Sequence, residues 1–379
     1  MTHIVLLIPT VDRIGGAERQ VILLAKGLLK RGWRVTVVAL SGTGGPAAGQ
    51  LVAEGAEFPS LEMRKGLADP RGWIRFNRWL RREKPDVVHA HLPHATWFMR
   101  WSRLAAPVRV ALDTIHTSAT GTTGRRLGYR LSDWLPDRVT AVSKSVAIAY
   151  LSARMVSESR LTVVPNGVEV DHWRPDPAVR TAVRRELGLS DEFLWFAAGR
   201  LEPVKDYPAL LRAMTEVPKP AQLVIAGEGA LDLELRRLTA ELDLNMRVRF
   251  LGFEPDVRRW MQAADGFVLS SRWEGLPIAM LEAAACALPA VATDVAGSSE
   301  IIMHGHTGLL AAAGNQTALA AAMTRLVQMS PEERGAMGER AQQLVTERFQ
   351  MERVLDQWEK LYAELLDQNP MPLRRGPRR

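Results

Sequence analysis

The chain has 379 residues, of which 47% are hydrophobic and 24% charged, and its formal net charge is +7. This length exceeds one ordinary core, so two domains are expected, and the composition is that of a globular protein. Cys286 is the single cysteine, which excludes an intrachain disulfide, and no run of about 18 apolar residues predicts a membrane span. The start lacks a basic leader, so the protein is expected in the cytoplasm.

The positive charge is concentrated in the first half of the chain. Residues 1–165 carry 24 Lys and Arg against 12 Asp and Glu, whereas the remainder carries 25 against 30. A basic first half predicts an anionic partner, either nucleic acid or a lipid surface. No zinc-ligand spacing, basic heptad or RNA-binding aromatic motif accompanies the charge, so nucleic acid is not expected.

Strand-like runs alternate with helical patterns along the first half. Residues 17–31 are predicted to be helical because Val21, Leu24 and Leu28 recur at helical spacing. A break at 163–167 predicts a strand, a turn and the boundary between two domains. The strands predicted before this break are 4–8, 34–40, 86–90, 109–114 and 138–142.

The same alternation resumes in the second half, and residues 331–366 are predicted to be helical. Continuous apolar strands linked by helices predict parallel sheets that are covered on both faces. We therefore expect an α/β protein with two doubly wound, Rossmann-like domains, 1–165 and 166–349, that face a central cleft. A C-terminal helix of about 350–379 is expected to pack back on the first domain. The strands predicted in the second half are 193–198, 221–226, 248–251, 266–269 and 290–293.

Ligands of such sheets bind beyond the carboxyl ends of the strands, where several distinctive residues fall. Gly15 and Gly16 follow the first strand and would let the backbone approach a phosphate closely. Arg200 ends an apolar run, and Lys205 follows in the same loop. A guanidinium fork and an ammonium group together could clamp a diphosphate, and two solvated loop cations are the alternative.

Glu274 and Glu282 lie eight residues apart around the start of a predicted helix. Pro277 suits the first helical turn, so Glu274 would lie in the loop at the positive end of the helix dipole and Glu282 about two turns inside. Two such carboxylates can hold hydroxyls at both ends of an extended ligand while backbone amides face its phosphates. The alternative is a capping acid and a solvated acid.

Histidines cluster near predicted strand ends in the first half. His89, His91 and His94 suggest a metal site, but their spacing does not clearly converge, so polar loop residues are the preferred interpretation. His116 ends another strand and is a better candidate for a ligand-binding residue. No Asp-x-Asp occurs in the chain, so the usual carboxylate pair for Mg²⁺ on a nucleotide diphosphate is missing. Arg200, Lys205 and helix N-termini would have to neutralise the phosphates.

These motifs together resemble those of retaining, nucleotide-sugar-dependent glycosyltransferases with the GT-B fold, of the group 1 or GT4 type. The resemblance runs nearly end to end. It rests on the Gly-Gly-Ala-Glu-Arg segment 15–19, His116, residues 164–168, Arg200 with Lys205, the Glu274-x₇-Glu282 motif, and residues 290–300 and 305–310.

The resemblance implies roles for individual residues. Arg200 and Lys205 are similar to the pair that binds the donor diphosphate and stabilises the leaving group. Glu282 is similar to the glutamate that accepts the ribose hydroxyls, and Glu274 to the one that faces the donor sugar. His116 resembles the first-domain histidine beside the transferred sugar. The remaining donor-binding positions are Gly15, Gly16, Asn166 and the backbone amides of Gly275, Leu276 and Ile278.

The resemblance also implies a reaction. Such enzymes transfer a sugar with retention of configuration and need no metal or other cofactor. A UDP-sugar is the favoured donor and a GDP-sugar the second, with a lipid-linked or oligosaccharide acceptor in cell-surface polysaccharide assembly. Ala287, Ala296 and Pro277 depart from the usual pattern, which bears on donor preference. The alternatives are an epimerase or phosphorylase of the same architecture and a non-catalytic nucleotide-sugar-binding protein.

The basic first domain, with a lipid-linked acceptor, predicts association with an anionic membrane surface on the inner face of the cell membrane. Trp73, Phe76 and Trp79 interleave with arginines at helical spacing, and such a helix can lie in the membrane interface. The alternative is that these aromatic residues form the core face of an ordinary surface helix.

Overall fold

The structure, a computed structural model, describes residues 1–12, 14–64 and 69–370. The chain divides into two compact units: unit 1 is Met1–Pro165 with the stretch that starts at Glu352, and unit 2 is Asn166–Met351. Over the described residues each unit contains one six-stranded sheet whose strand pairs are all parallel. The prediction of two doubly wound α/β sheets is confirmed. Residues 371–379 of the predicted C-terminal helix lie outside the described residues.

Unit 1 has the strand order β2-β1-β3-β4-β5-β6. Every residue of its central strands β1, β3 and β4 is buried, because helices cover both faces of the sheet. The strands are β1 His3–Ile8, β2 Arg34–Ala39, β3 Val87–His91, β4 Val110–Ile115, β5 Arg138–Ala141 and β6 Leu161–Val163. The helices before the boundary are α1 Gly16–Lys30, α2 Gly45–Ala53, α3 Pro70–Glu83, α4 Pro93–Ser102, α5 Thr123–Ser132 and α6 Lys144–Ser152.

Unit 2 has the strand order β12-β11-β10-β7-β8-β9, and Trp195 lies fully buried at the centre of its core. The strands are β7 Leu194–Ala198, β8 Gln222–Ala226, β9 Val248–Gly252, β10 Gly266–Leu269, β11 Ala290–Asp294 and β12 Gly308–Ala312. The helices are α7 Pro177–Leu187, α8 Tyr207–Glu216, α9 Asp232–Glu241, α10 Val257–Ala263, α11 Ile278–Ala285, α12 Ser298–Ile301, α13 Gln316–Gln328 and α14 Pro331–Phe349.

The last helix, α15 Met351–Gln368, packs on unit 1. Leu355 lies so close to Gly27 of α1 that a Cβ at Gly27 would be 2.3 Å from a leucine methyl carbon, so only glycine fits there. Arg31 at the end of α1 pairs with Glu352, Asp356 and Glu359 of α15 at 2.6–2.7 Å. A close apolar contact and a cluster of ion pairs therefore fix the helix along α1.

The predicted helix 331–366 is in fact two helices. The backbone at Gln350 is extended, because Val168 donates its N–H to Phe349 and accepts that of Met351 at 2.9 Å each. This short parallel pairing interrupts the helical hydrogen bonds and separates α14 from α15.

The aromatic face of α3 packs on the core of unit 1, which is the second of the two interpretations given for its sequence. Phe76 and Leu80 are fully buried, and Phe76 lies 5.3 Å from Phe98 of α4 between ring centroids. The arginines of the helix are exposed on its other side. The helix is therefore part of the core of unit 1, with a basic outer face.

Candidate active site

The sheet of unit 2 changes its winding direction between β7 and β10. Strands β8 and β9 follow on one side of β7, and β10, β11 and β12 follow on the other. At such a switch point the loops after the two central strands diverge and leave a crevice for a ligand at the carboxyl edge. Arg200 and Lys205 follow β7, and Glu274 follows β10. The sequence-predicted charged residues therefore lie at this switch point.

Lys205 and Glu274 form an ion pair across the switch point. Nζ of Lys205 lies 2.6 Å from Oε1 of Glu274, and both side chains are largely buried. Ser271 donates its hydroxyl to the same carboxylate oxygen at 2.6 Å, and Ser270 donates to the backbone carbonyl of Lys205 at 2.7 Å. The loops after β7 and β10 are thus joined by charge and by hydrogen bonds. Sequence reasoning missed both serines, because single serines after an apolar strand carry no distinctive signal.

Arg200 is held much more loosely. Its side chain is 68% exposed, and Nη1 pairs with Oε1 of Glu202 at 2.9 Å. An exposed pair between near neighbours in sequence contributes about 0–1 kcal/mol to stability. The guanidinium can therefore exchange Glu202 for an anionic ligand at little cost.

The loop before α11 is fixed from two sides. Asn166 donates its side-chain amide to the carbonyl of Leu276 at 3.0 Å. Gly297 has a φ of +82°, and a Cβ there would lie 2.2 Å from the carbonyl oxygen of Gly275, so a larger residue would displace the loop. The first amides of a helix have no acceptor in their own helix and point toward the loop end. This loop therefore presents the backbone of residues 275–278 in one conformation.

The start of α11 differs from the sequence prediction in one respect. Pro277 is the N-cap and not a first-turn residue, and the helix begins at Ile278. Glu282 is the fifth residue of this helix, just over one turn from its start where about two turns are predicted, and it is buried. Burial, and secondarily the nearby Glu282, raise the pKa of the Cys286 thiol, so this cysteine stays protonated and unreactive at neutral pH.

In unit 1 the winding direction changes between β1 and β3. Gly15 is the N-cap of α1 and Gly16 its first residue, directly beyond β1. The N–H of Gly15 donates to the carboxylate of Glu18 at 3.1 Å. The amide of Gly15, one of the two glycines predicted to let the backbone approach a phosphate, is thus already used inside the helix cap, while the helix N-terminus keeps its partial positive charge.

His89 and His91 at the end of β3 and His116 just beyond β4 pack together. Nδ1 of His91 lies 3.1 Å from Nε2 of His116. Nδ1 of His89 lies 2.8 Å from the hydroxyl of Tyr362 on α15, and its Nε2 lies 2.6 Å from that of Thr114. Both nitrogens of His89 thus have protein partners, and His94 is exposed. Among the described residues no group of three or more His, Cys, Asp or Glu side chains could hold a metal ion.

Burial keeps these histidines neutral. It lowers the pKa of His116 to about 4, and it is the main cause that brings the pKa values of His89 and His91 well below the usual range. At neutral pH each ring therefore carries one N–H donor and one acceptor nitrogen. His116 can accept or donate a hydrogen bond to a ligand but does not offer it a positive charge.

Comparisons with known proteins agree with this geometry. The family model for Glycosyltransferase Family 4 matches residues 14–172, and that for Glycosyl transferases group 1 matches residues 179–344. The lipopolysaccharide core biosynthesis glycosyltransferase LpsD of Rhizobium meliloti (strain 1021) is 30% identical over 320 residues, which are 82% of this chain and 84% of LpsD. The chain belongs to the group 1 glycosyltransferases. The resemblance stated from the motifs is confirmed, and this glycosyltransferase is an enzyme.

Further relatives and solved structures support the same assignment. The N-acetyl-alpha-D-glucosaminyl L-malate synthase of Bacillus anthracis is 28% identical over 304 residues, 75% of this chain and 76% of the relative. The crystal structure of Anabaena HepE in complex with UDP-glucose is 21% identical and covers 95% of this chain and 99% of its own, with a TM-score of 0.86. This likeness confirms the GT-B fold class of the glycosyltransferase.

Proposed function

We propose that this glycosyltransferase is a retaining, metal-independent enzyme that moves a sugar from a nucleotide diphosphate donor, with UDP-sugar favoured over GDP-sugar, to a lipid-linked or glycan acceptor in cell-surface polysaccharide biosynthesis. The observation that carries the proposal is the Lys205–Glu274 pair at the switch point of unit 2. It puts a cation and a carboxylate, the partners of a diphosphate and of sugar hydroxyls, at one carboxyl edge of the sheet.

Two relatives favour this donor and acceptor class. An Escherichia coli relative, 26% identical over 258 residues, is named as a UDP-Gal:alpha-D-GlcNAc-diphosphoundecaprenol alpha-1,3-galactosyltransferase. A Mycobacterium tuberculosis relative, 29% identical over 282 residues, is named as GDP-mannose-dependent. The second name supports GDP-sugars as the other donor class.

The reaction requires charge stabilisation more than acid–base chemistry by the protein. As the bond from the sugar C1 to the diphosphate oxygen breaks, Lys205, Arg200 and the N-terminus of α11 offset the charge that develops on the leaving group. The acceptor oxygen bonds to C1 on the same face, and its proton passes to the leaving phosphate oxygen. The carboxylate of Glu282 accepts hydrogen bonds from the ribose hydroxyls. Glu274 and His116 bind the sugar.

A binding and turnover experiment tests the proposal. Thermal shifts with UDP, GDP and their sugars should identify one nucleotide, and the matching donor should then glycosylate a lipid-linked acceptor with the α or β configuration of the donor preserved. We expect full turnover in EDTA, because side chains supply the positive charge. Loss of activity in EDTA that Mg²⁺ restores would refute metal independence, and an isomerised donor without transfer would indicate the epimerase alternative.

We also propose that the enzyme binds an anionic membrane surface through the outer face of α5. Leu127 and Leu131, at helical spacing, and Trp134 just beyond the helix are 54–61% exposed, and the exposed Arg126 and Arg130 directly precede the two leucines. Apolar side chains that alternate with arginines suit the boundary between acyl chains and anionic head groups. None of the described helices is long and apolar enough to cross a membrane.

Liposome flotation tests this surface. We expect flotation with vesicles that contain phosphatidylglycerol, weaker flotation at high salt, and a loss of at least about a hundredfold in partitioning for Leu131→Gln with Trp134→Gln, because each buried apolar side chain contributes about 1.5–3 kcal/mol. Leu233→Gln, an equally exposed leucine of unit 2, is the matched control. Equal flotation of the two variants, or equal binding to neutral vesicles, would contradict the proposal.

A further inference from the structure

His91 has no role in the proposed reaction, but the surroundings of its two ring nitrogens determine which of them carries the proton. Its side chain is 2% exposed, Nδ1 contacts His116, and Nε2 is buried without a hydrogen-bond partner among the described residues. A neutral imidazole carries one proton, so either Nε2 is a bare acceptor or it is a buried donor without an acceptor. Orphaned buried N–H groups are rarer in proteins than unsatisfied acceptors. The proton of His91 therefore belongs on Nδ1.

We propose that His91 donates its Nδ1–H to Nε2 of His116 and thereby keeps the proton of His116 on Nδ1, so that His116 presents an N–H donor to its ligand. The contact joins two nitrogens, and if one donates, the other must accept. His116 is partly exposed, and its Nδ1 has no partner among the described residues. His91 is then a positioning residue: it touches no reacting atom but selects the tautomer of the residue that does.

The neighbouring groups keep the arrangement neutral and rigid. The ring of His91 lies 4.0 Å from that of His89 between centroids, and His89 packs 4.8 Å from Trp358 of α15. His89 is itself held by Tyr362 and Thr114, so His91 cannot tilt away from His116 without displacing a fixed ring. Burial lowers the pKa values of all three histidines, which removes the doubly protonated state in which both nitrogens would donate.

The inference rests on the proposed role of His116 beside the donor sugar, but its first test does not depend on turnover. The ¹⁵N shifts and two-bond couplings of a histidine-labelled protein distinguish the two tautomers. We expect His116, assigned by its loss in His116→Asn, to carry its proton on Nδ1, and His91 to do the same. A wild-type His116 with its proton on Nε2 overturns the proposal, whether or not a donor has been found.

Two variants of His91 extend the test to activity. In His91→Asn the side-chain amide can still donate from about the position of Nδ1, whereas His91→Phe keeps the ring shape and removes the donor. We expect His91→Phe to lower kcat about ten- to a hundredfold with mixed His116 tautomers, and His91→Asn to stay within about threefold of wild type. UDP affinity should not change in either variant. The control His306→Phe, which replaces an exposed histidine, should leave kcat unchanged. Equal kcat for His91→Phe and wild type, with His116 unchanged, would contradict the proposal. If His91→Phe does not fold, the wild-type spectrum and His91→Asn decide.

Discussion

Replacing Lys205 by methionine is expected to lower kcat by about 100- to 1000-fold, the usual effect of removing one preorganised group that stabilises developing charge. Methionine keeps most of the volume and the apolar stem of lysine, so the loop should keep its path. The ammonium lies 2.6 Å from Glu274 and is 20% exposed, so it is already held in place before a donor binds. Because the effect arises on the leaving group, kcat should fall much more than donor affinity.

Initial rates over a range of donor concentrations, with calorimetric titration of UDP and GDP, check this expectation. Lys219→Met is the matched control, since Lys219 is an exposed lysine of the same unit. Glu274→Gln keeps the hydrogen-bond geometry to Ser271 and removes the charge that Lys205 balances, so it separates the loss of the pair from the loss of the cation. If Lys205→Met raised the donor KM with kcat unchanged, Lys205 would only bind the donor and would not act on the leaving group.

Most of the sheet structure could be predicted from the sequence, because apolar runs between helical patterns specify buried parallel strands. The strand β12 was missed as an element. It is an edge strand that begins at Gly308 and continues through a run of leucine and alanine, and such a run is also compatible with a helix. The division of the last helix at Gln350 was hidden for a different reason. It depends on pairing with Val168, about 180 residues earlier, and local periodicity carries no information about such a partner.

The sequence predicts which residues lie at the site but not which of them contact one another. A loop after a strand can be recognised in the sequence, so Arg200, Lys205 and Glu274 could be placed at sheet edges. Which loops adjoin depends on strand order, and the position of β10 beside β7 is what joins Lys205 to Glu274. His91 and His116 adjoin for the same reason, since β3 and β4 are neighbours. The amphipathic sequence of α3 is compatible with a lipid-facing or a core-facing helix, and the full burial of Phe76 and Leu80 decides for the core.

Loss of Arg100 should strongly destabilise unit 1. Arg100 and Asp113 are both fully buried and form a two-point ion pair, Nε to Oδ1 at 2.9 Å and Nη2 to Oδ2 at 3.1 Å. Nη1 also donates to the hydroxyl of Ser132 at 2.9 Å. Arg100→Met leaves Asp113 buried without its cation, and breaking such a pair costs about 3–5 kcal/mol of unfolding free energy. Asp113 is in β4 three residues before His116, so the change reaches the strand that positions the site.

The pH dependence of this loss follows from the pKa of Asp113. Burial raises that pKa in the wild-type protein, while Arg100 opposes the shift. Without Arg100 the pKa rises further above its unfolded value, so the folded variant binds a proton that the unfolded chain releases as the pH passes above about 4. The stability deficit of Arg100→Met relative to the wild-type protein should therefore be largest at neutral pH and shrink toward pH 5.

Urea unfolding at pH 7 and pH 5 measures this stability deficit, with Arg100→Met/Asp113→Leu as the matched variant. Since two apolar residues leave no buried charge, the double variant should recover most of the lost unfolding free energy, and its stability should depend less on pH. A double variant as unstable as Arg100→Met would mean that packing, and not the uncompensated carboxylate, causes the deficit.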